Sequence, residues 1–127
     1  MSHITRIESI LISDLDTLTA ACKLLGLEVV RGQTQFRCYE GLGACEHAIR
    51  VPGDKEAYEI GLVREGAGYK LVADDILYRI GMHVGRKCGK LRQYYAAETT
   101  ARKLSKSYHV RRTVDQGRIK LHVTEKR

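Results

Sequence analysis

The sequence predicts an α+β fold in which an antiparallel sheet of about five to six strands carries two helices packed on one face. Three observations predict it. Segment 58–74 contains two alternating stretches joined by a glycine turn, two other segments repeat apolar residues at helical spacing, and the C-terminal residues form a second hairpin pattern. The predicted order of elements is β-α-β-β-β-β-β-α-β-β.

The size and composition predict a single domain over residues 1–127. A chain of 127 residues with 43% hydrophobic residues can bury a core, and it contains one proline and no linker or repeat. No apolar run is long enough to cross a bilayer, and the first residues lack a secretory cleavage pattern. We therefore expect a cytoplasmic protein whose four cysteines are reduced thiols.

The central element of the prediction is the hairpin 58–74. Apolar residues alternate with residues of the other face over 58–63, which is the period of a half-buried strand. Residues 64–68 supply the glycines of a tight turn, and the alternation resumes at Tyr69. We expect this hairpin to lie near the centre of the sheet.

The N-terminal half is predicted to contain one helix and several short strands. Apolar residues recur at helical spacing over 14–25, Ser13 and Asp16 form a loose capping box before them, and Gly26 is the expected stop. The expected strands are 3–12, 27–31, 35–39 and 48–51, and the expected turns are 39–43 and 52–55.

The clearest helix is predicted over residues 90–108, before a hairpin of 110–114 and 119–123. The helix face expected to pack on the sheet consists of Tyr94, Ala97, Ala101, Leu104 and Tyr108. The opposite side consists of Arg92, Thr99, Lys103 and Lys106, with Arg102 alongside. Alternation in the last strand directs Ile119, Leu121 and Val123 inward and Arg118, Lys120 and His122 outward.

The positive charge is concentrated in the C-terminal part of the chain. Residues 1–78 hold 8 Lys and Arg against 12 Asp and Glu, which gives −4, whereas residues 79–127 hold 14 against 3, which gives +11. This asymmetry indicates an anionic partner, either nucleic acid, an acidic protein face or another polyanion, or else a solvated surface that keeps the protein soluble. The candidate contact residues are Arg92, Arg102, Lys103, Lys106, Arg118 and Lys120.

Cys38, Cys45 and His47 are the candidate metal ligands. On a strand, Cys45 and His47 would face the same side, and Cys38 would approach them across a turn, which gives three of the soft ligands that zinc prefers. A structural site takes four ligands, which Cys88 or His83 would have to complete. A Cys45 thiol activated by the neighbouring imidazole, and fortuitous clustering, are the alternatives.

The chain resembles an uncharacterised protein family, the hypothetical chloroplast reading frame thirty-five family of plastids and cyanobacteria, with relatives in bacteria and phages. The matching stretches cover nearly the whole chain in the same order. They are 1–18 (MSHITRIESILISDLDTL), 58–61 (YEIG), 69–74 (YKLVAD), the helix start at 91–98 and 115–121 (DQGRIKL). The resemblance implies a small α+β domain and, because family members are often encoded near an AAA-type ATPase, partnership with such an ATPase. It implies no catalytic residues.

Three classes of function follow for testing. The sequence lacks G-x-S-x-G, H-E-x-x-H and C-x-x-C, so we expect a non-enzymatic accessory or adaptor protein acting through surface contacts. The alternative is a sequence-nonspecific nucleic-acid-binding protein, with Tyr39, Tyr78 and Tyr95 as the tyrosines free to stack on bases. A zinc- or thiol-dependent enzyme would require the cysteine cluster.

Overall fold

A computed structural model of the protein describes residues 4–39 and 41–126. The elements within them, in chain order, are as follows. They are β1 (Ile4–Ile12), α1 (Leu15–Leu24), β2 (Glu28–Arg31), β3 (Gln35–Cys38), β4 (Gly41–Ala44), β5 (His47–Arg50), β6 (Ile60–Glu65), β7 (Gly68–Asp74), α2 (Gly81–Val84), a 3-10 turn (Arg86–Cys88), α3 (Gly89–Leu104), β8 (Tyr108–Asp115) and β9 (Arg118–Glu125).

A five-stranded antiparallel sheet forms the centre of the molecule, in the order β1-β7-β6-β5-β2. The hairpin predicted from the 58–74 pattern is β6–β7, and it lies inside this sheet as expected. Its turn needs a positive φ, and Gly66 supplies one of 59°. The α+β prediction with an antiparallel sheet is confirmed.

Both long helices cover one face of this sheet. Ile60 and Leu62 of β6 and Leu71 and Ala73 of β7 are fully buried. They pack in one core with Leu18 of α1 and with Leu91 and Tyr94 of α3. The two helices also contact each other. Burying this apolar layer drives the docking of helices on sheet, at roughly 25 cal/mol per Å² of apolar surface.

The small hairpin β3–β4 contributes Phe36 to a second buried cluster beside the opposite side of the sheet. The cluster also contains Cys38, Cys45 and Ala48. A methyl group added to Gly43 or to Gly61 would lie 2.5 or 2.6 Å from the Phe36 ring, so both glycines are needed for the ring to fit. The sheet is therefore buried on two faces, by helices on one and by a hairpin on the other.

Several local expectations are corrected. The turn predicted at 39–43 is wrong from Gly41 onward, because those residues form β4. The helix cap is Asp14 rather than Ser13, since the Asp14 carboxylate accepts the N–H of Asp16 at 3.0 Å and the Thr17 hydroxyl at 2.8 Å.

The last helix ends at Leu104, four residues before the predicted end, and Tyr108 begins β8. The buried face of α3 is accordingly Leu91, Tyr94, Tyr95, Glu98 and Ala101. Tyr95 is buried, and its hydroxyl accepts the N–H of Ser13 at 3.0 Å. The hairpin β8–β9 is a separate two-stranded sheet whose strands contact α3.

Candidate anion-binding surface

The groove between α1 and α3 brings together three of the predicted contact residues. Arg102, Lys103 and Lys106 line a cavity of about 530 Å³, whose other walls carry hydroxyl side chains and the carboxylate of Asp14. Arg102 also reaches α1, where its guanidinium lies 3.5 Å from the carbonyl oxygen of Asp16. The groove carries three cations against one carboxylate, and this excess of positive charge suits an anionic ligand.

The hairpin β8–β9 runs along α3 and connects this groove to the other end of the helix. At the turn of the hairpin, the Tyr94 hydroxyl donates to the carbonyl of Gly117 at 3.0 Å. At the open end, the Lys126 ammonium donates to the carbonyl of Ser105 at 2.8 Å. Arg118 thus lies at the far end of the hairpin from the groove.

The register of the hairpin separates an inner face from an outer face. Arg112 and Ile119 lie on the inner face, because Arg112 bonds to Glu98 of α3 and Ile119 packs against the main core. The intervening residues point outward. The outer face consists of His109, Arg111, Thr113 and Asp115 of β8 and Arg118, Lys120, His122 and Thr124 of β9.

Sequence reasoning found Arg118, Lys120 and His122 on this outer face but missed Arg111 and His109. The predicted strand 110–114 was not divided into faces. Extending it by two residues and applying the same period-two alternation would have found both.

Glu98 reduces the charge that two of the arginines can offer to a partner. Its side chain is only 3% exposed, and its carboxylate accepts from Arg112 at 3.0 Å and from Arg102 at 3.3 Å. Two arginines therefore neutralise one buried carboxylate, and Arg112 is a structural residue rather than a contact residue.

In the part of the chain that the structure describes, several cations of the C-terminal part have no carboxylate partner. In the sheet and its loops, most arginines have a carboxylate partner. These pairs are Arg6–Glu65, Arg31–Asp16, Arg50–Glu28, Arg64–Glu46 and Arg79–Asp54. Within the described residues, Lys103, Lys106, Arg111 and Arg118 form no ion pair, whereas Lys120 pairs with Asp115 at 3.1 Å. Lys23, Lys55 and Lys70 likewise form no ion pair among these residues, so the surplus is a property of residues 79–127, which hold 14 Lys and Arg against 3 Asp and Glu.

Arg92 is separated from the other predicted contact residues. It lines a different cavity, of about 440 Å³, together with Arg6, Lys87, Asp74 and Asp75. This cavity contains both signs of charge and shares no residue with the cationic groove. Arg92 is therefore not part of the groove.

The predicted zinc ligands are not brought together. Cys38 and Cys45 are buried beside Phe36, and the Cys45 thiol donates to the carbonyl of Gln33 at 3.2 Å. β5 begins only at His47, whose register partner Leu62 faces the helices, so His47 lies on the opposite side of the sheet from Cys45. Within residues 4–39 and 41–126, no three His, Cys, Asp or Glu side chains are placed to hold a metal ion.

The other candidate zinc ligands, His83 and Cys88, and the candidate reactive thiol of Cys45 also lie in surroundings that differ from the prediction. The His83 imidazole contacts the carbonyl of Leu25 at 2.9 Å, and Cys88 lies in the helix-side core. Burial, with a smaller effect from the negative charge of Glu59, raises the pKa of the Cys45 thiol. Because His47 lies on the opposite side of the sheet, it is not placed to lower that pKa as the activated-thiol alternative requires.

Exposed tyrosines differ in part from the expected set. Tyr39 and Tyr78 are exposed as predicted, and the ring of Tyr78 lies 5.3 Å from that of Tyr58. Tyr95 is buried, and Tyr108, which was expected to be buried, is 39% exposed at the start of β8, a few residues after Lys103 and Lys106 in the chain.

None of the helices in the described part of the chain is long and apolar enough to cross a lipid bilayer.

Comparison with protein families matches residues 21–121 of the chain to a family described as protein of unknown function (DUF1257). No curated protein matches the chain significantly. No solved structure does so either.

Proposed function

This chain belongs to the DUF1257 family, and we propose that it is a small, non-enzymatic, cytoplasmic accessory protein that binds an anionic partner through α3 and the C-terminal hairpin. The observation that supports this proposal is the group of cations without a carboxylate partner, Lys103, Lys106, Arg111 and Arg118, on a surface whose helix and hairpin are held together by Glu98. A surface that carries uncompensated charge favours association with a surface of opposite charge.

The proposed partner is a protein, an ATPase of the AAA type. This part of the proposal derives from the resemblance to the hypothetical chloroplast reading frame thirty-five family, with its plastid, cyanobacterial, bacterial and phage relatives. An acidic face of such an ATPase would complement the cationic surface, and complementary charge would accelerate their encounter. The protein would then act as an adaptor through surface contacts rather than through chemistry.

A pull-down from source cells tests the partnership. The tagged protein is incubated with lysate before and after nuclease treatment, and the retained proteins are identified by mass spectrometry. We expect an AAA-type ATPase to persist after nuclease treatment and to be lost with Lys103→Glu/Lys106→Glu. The matched control is Lys23→Glu/Lys55→Glu, which reverses two exposed charges elsewhere. Loss of the ATPase with both double variants, or its absence with the unaltered protein, contradicts the proposal.

Nucleic-acid binding is the second candidate function. The observation that favours it is Tyr108, whose exposed ring follows Lys103 and Lys106 at the open end of the hairpin. An aromatic ring among cations can stack on a base while the cations bind phosphates. The test is the salt dependence of binding to single-stranded DNA. The logarithm of affinity should fall linearly with the logarithm of salt concentration, and Lys103→Glu/Lys106→Glu should reduce the slope.

A further inference from the structure

We propose that the short helix α2 and the turn that follows it form a docking site for a membrane surface rich in anionic phospholipids. This site, the α2 tip, consists of Met82 of α2, Arg86 and Lys87 of the 3-10 turn and Lys90 at the start of α3. Met82 inserts between the lipid head groups while the three cations bind the negative charges of those head groups. The inference goes beyond the protein partnership proposed above and does not depend on it.

Met82 projects into solvent from a segment that is otherwise fixed in the core. Ile80, Val84 and Cys88, spaced four residues apart, are fully buried. Met82 lies between the first two of them and is 88% exposed, more than any other large hydrophobic side chain in the described part of the chain. The three buried side chains therefore hold an apolar side chain out where a partner can cover it.

A second exposed apolar side chain adjoins the α2 tip, at the end of α1. The Nδ1 atom of His83 lies 2.9 Å from the carbonyl oxygen of Leu25, and a methyl group added to Gly26 would lie 3.5 Å from the same nitrogen. This contact joins α2 to the C-terminal end of α1, where Leu24 is 44% exposed. One exposed apolar residue is ordinary on a protein surface, whereas two on adjoining elements can be covered by one partner.

The cations of the α2 tip lie close to Met82. Arg86 and Lys87 are exposed, and Arg86 follows Met82 by four residues. The chain also brings Lys90 near, because a methyl group added to Gly85, whose φ is 78°, would lie 3.0 Å from the Cβ atom of Lys90. Within residues 4–39 and 41–126, these three cations form no ion pair. Their charge is available to a partner.

The sequence around the α2 tip lacks carboxylates. Residues 76–97 contain no Asp or Glu, whereas they contain Arg79, Arg86, Lys87, Lys90 and Arg92. The turn of the hairpin β8–β9 also approaches the tip, since a methyl group added to Gly117 would lie 3.4 Å from the ammonium of Lys90. The carboxylate at that turn, Asp115, is paired with Lys120 at 3.1 Å. The tip therefore presents net positive charge.

A lipid surface fits the α2 tip better than a folded protein does. A protein partner needs a pocket shaped to receive Met82, whereas the head-group region of a bilayer is fluid and accepts a projecting apolar side chain at any point. Long cationic side chains such as Arg86 and Lys87 reach the charged head groups while the apolar residue lies deeper. An anionic leaflet attracts cations in this position, so charge and shape point to the same partner.

Co-sedimentation with lipid vesicles tests the proposal. We expect the protein to bind mixed phosphatidylcholine–phosphatidylserine vesicles, and to bind pure phosphatidylcholine about tenfold more weakly or worse, because each cation near an anionic surface strengthens binding about fivefold. Arg86→Gln/Lys87→Gln should weaken binding to the mixed vesicles about tenfold for the same reason. Met82→Ser should weaken it about fivefold, because the polar side chain gains little from leaving water.

The matched controls change the same kinds of residue elsewhere on the molecule. Lys55→Gln/Lys70→Gln removes two cations, and Leu42→Ser replaces a leucine that is 61% exposed. Both should keep the affinity for the mixed vesicles within about twofold of the wild type, because charges distant from the bound surface are screened by salt.

A tryptophan probe reports whether Met82 itself enters the lipid, since the chain contains no tryptophan of its own. The indole emission of Met82→Trp should shift to shorter wavelength when the mixed vesicles are added. The emission of Leu42→Trp, bound to the same vesicles, should not shift. This comparison separates insertion of the α2 tip from adsorption of the protein by its overall charge.

Five results would overturn the proposal. They are a wild type that does not bind the mixed vesicles at low salt, tip variants that bind as the wild type does, controls that lose as much affinity as the tip variants, no emission shift in Met82→Trp, and tighter binding of polyglutamate than of the vesicles, which would assign the tip to an acidic protein. Circular dichroism checks that each variant is folded, and Met82→Trp decides if the charge variant is not. Absence of the AAA-type ATPase from the pull-down would leave these results unaffected, so the two proposals fail separately.

Discussion

Glu98 determines which arginines are free for a partner and which hold the structure. It is buried in α3 and accepts from Arg102 in its own helix and from Arg112 in β8. A buried carboxylate must be paired, because its desolvation is otherwise not offset. The hairpin is therefore fastened to the helix by charge in its middle and by Ile119 nearer its turn.

Substitution of Glu98 by Gln should destabilise the protein. The change removes the carboxylate charge but keeps the shape, and it leaves two guanidinium groups close together without compensation. We expect the free energy of unfolding to fall by about 2 kcal/mol, which is below the usual range for a fully buried pair because both arginines are partly exposed. Urea denaturation measures it. The control Asp115→Asn breaks the exposed pair with Lys120 and should change stability by less than about 0.5 kcal/mol. Equal effects of the two variants would contradict the assignment.

Cys22 and Cys88 should make the protein sensitive to alkali. Burial raises the pKa of Cys22 to about 12 and that of Cys88 to about 11, from a usual value of 9.0. The unfolded thiols ionise first, so stability is fully present below pH 9 and is lost as pH rises through 11 to 12. Each thiol contributes a slope of at most about 1.4 kcal/mol per pH unit.

Urea denaturation between pH 8 and pH 11 measures this loss. A Cys22→Ala/Cys88→Ala variant is less stable at pH 8 because of the cavities it creates, but its stability should fall less steeply with pH. An unchanged slope in the variant would show that the two thiols are not the groups responsible.

The burial of single side chains was predicted correctly where spacing within one helix determines it. The prediction failed where a contact with a distant segment of the chain determines it. Cys22 was correctly expected to face the core because helical spacing alone places it there. Tyr95 was expected to be exposed, and this was wrong because its contact with Ser13 joins residues 82 positions apart, which no local pattern contains. Tyr108 was expected to be buried because its spacing continues the pattern of the helix, but the helix ends at Leu104.

At the scale of elements, the β3–β4 hairpin explains why two glycines lie where side chains would normally strengthen a strand. Phe36 fits between Gly43 of its own hairpin and Gly61 of the central strand β6. The hairpin covers one face of the sheet with a single aromatic ring, and the close approach of backbone to ring makes that coverage tight.

Gly61→Ala should disrupt this contact. The added methyl group would lie 2.6 Å from Cδ1 of Phe36 and 3.0 Å from Cβ of Cys45, which forces the ring to move. Overpacking of this kind typically costs about 1–3 kcal/mol, and we expect a loss in that range on urea denaturation. The control is Gly89→Ala at the start of α3, where the nearest atom is a terminal nitrogen of Arg92 at 3.8 Å and alanine favours the helix. A Gly61→Ala variant as stable as the Gly89→Ala control would contradict the tight packing of Phe36 against Gly61.

The pairing of elements shows how far local patterns can predict the sheet. The β6–β7 hairpin was predicted because one short turn joins its two strands. The segments 27–31 and 35–39 were recognised as strands, but β2 pairs with β5 and β3 pairs with β4. This pairing depends on which face of the sheet each strand helps to bury, and a short window of sequence does not contain that information. The cationic surface was predicted in part for the same reason, since the groove forms only when α1 and α3 meet.

At the scale of the whole molecule, the protein has two parts of unequal cohesion. The five-stranded sheet is buried between helices and the β3–β4 hairpin, and these elements together supply most of the buried apolar side chains. The hairpin β8–β9 is mostly exposed and meets the rest of the molecule through α3. An isolated two-stranded hairpin is only marginally stable in water, so its stability depends on the contacts of Arg112 and Ile119 with the remaining structure.

Native-state hydrogen exchange should therefore show the hairpin opening at a lower free energy than the sheet. Amides paired within β8–β9 should exchange through a local opening, whereas those paired between β6 and β7 should exchange only on global unfolding. Glu98→Gln should lower the opening free energy of the hairpin amides further, because it removes the charge that fastens β8 to α3. Equal opening free energies in the two regions would show that the hairpin unfolds with the sheet as one unit. The anion-binding surface would then be a rigid extension of the core rather than an element that a bound polyanion stabilises.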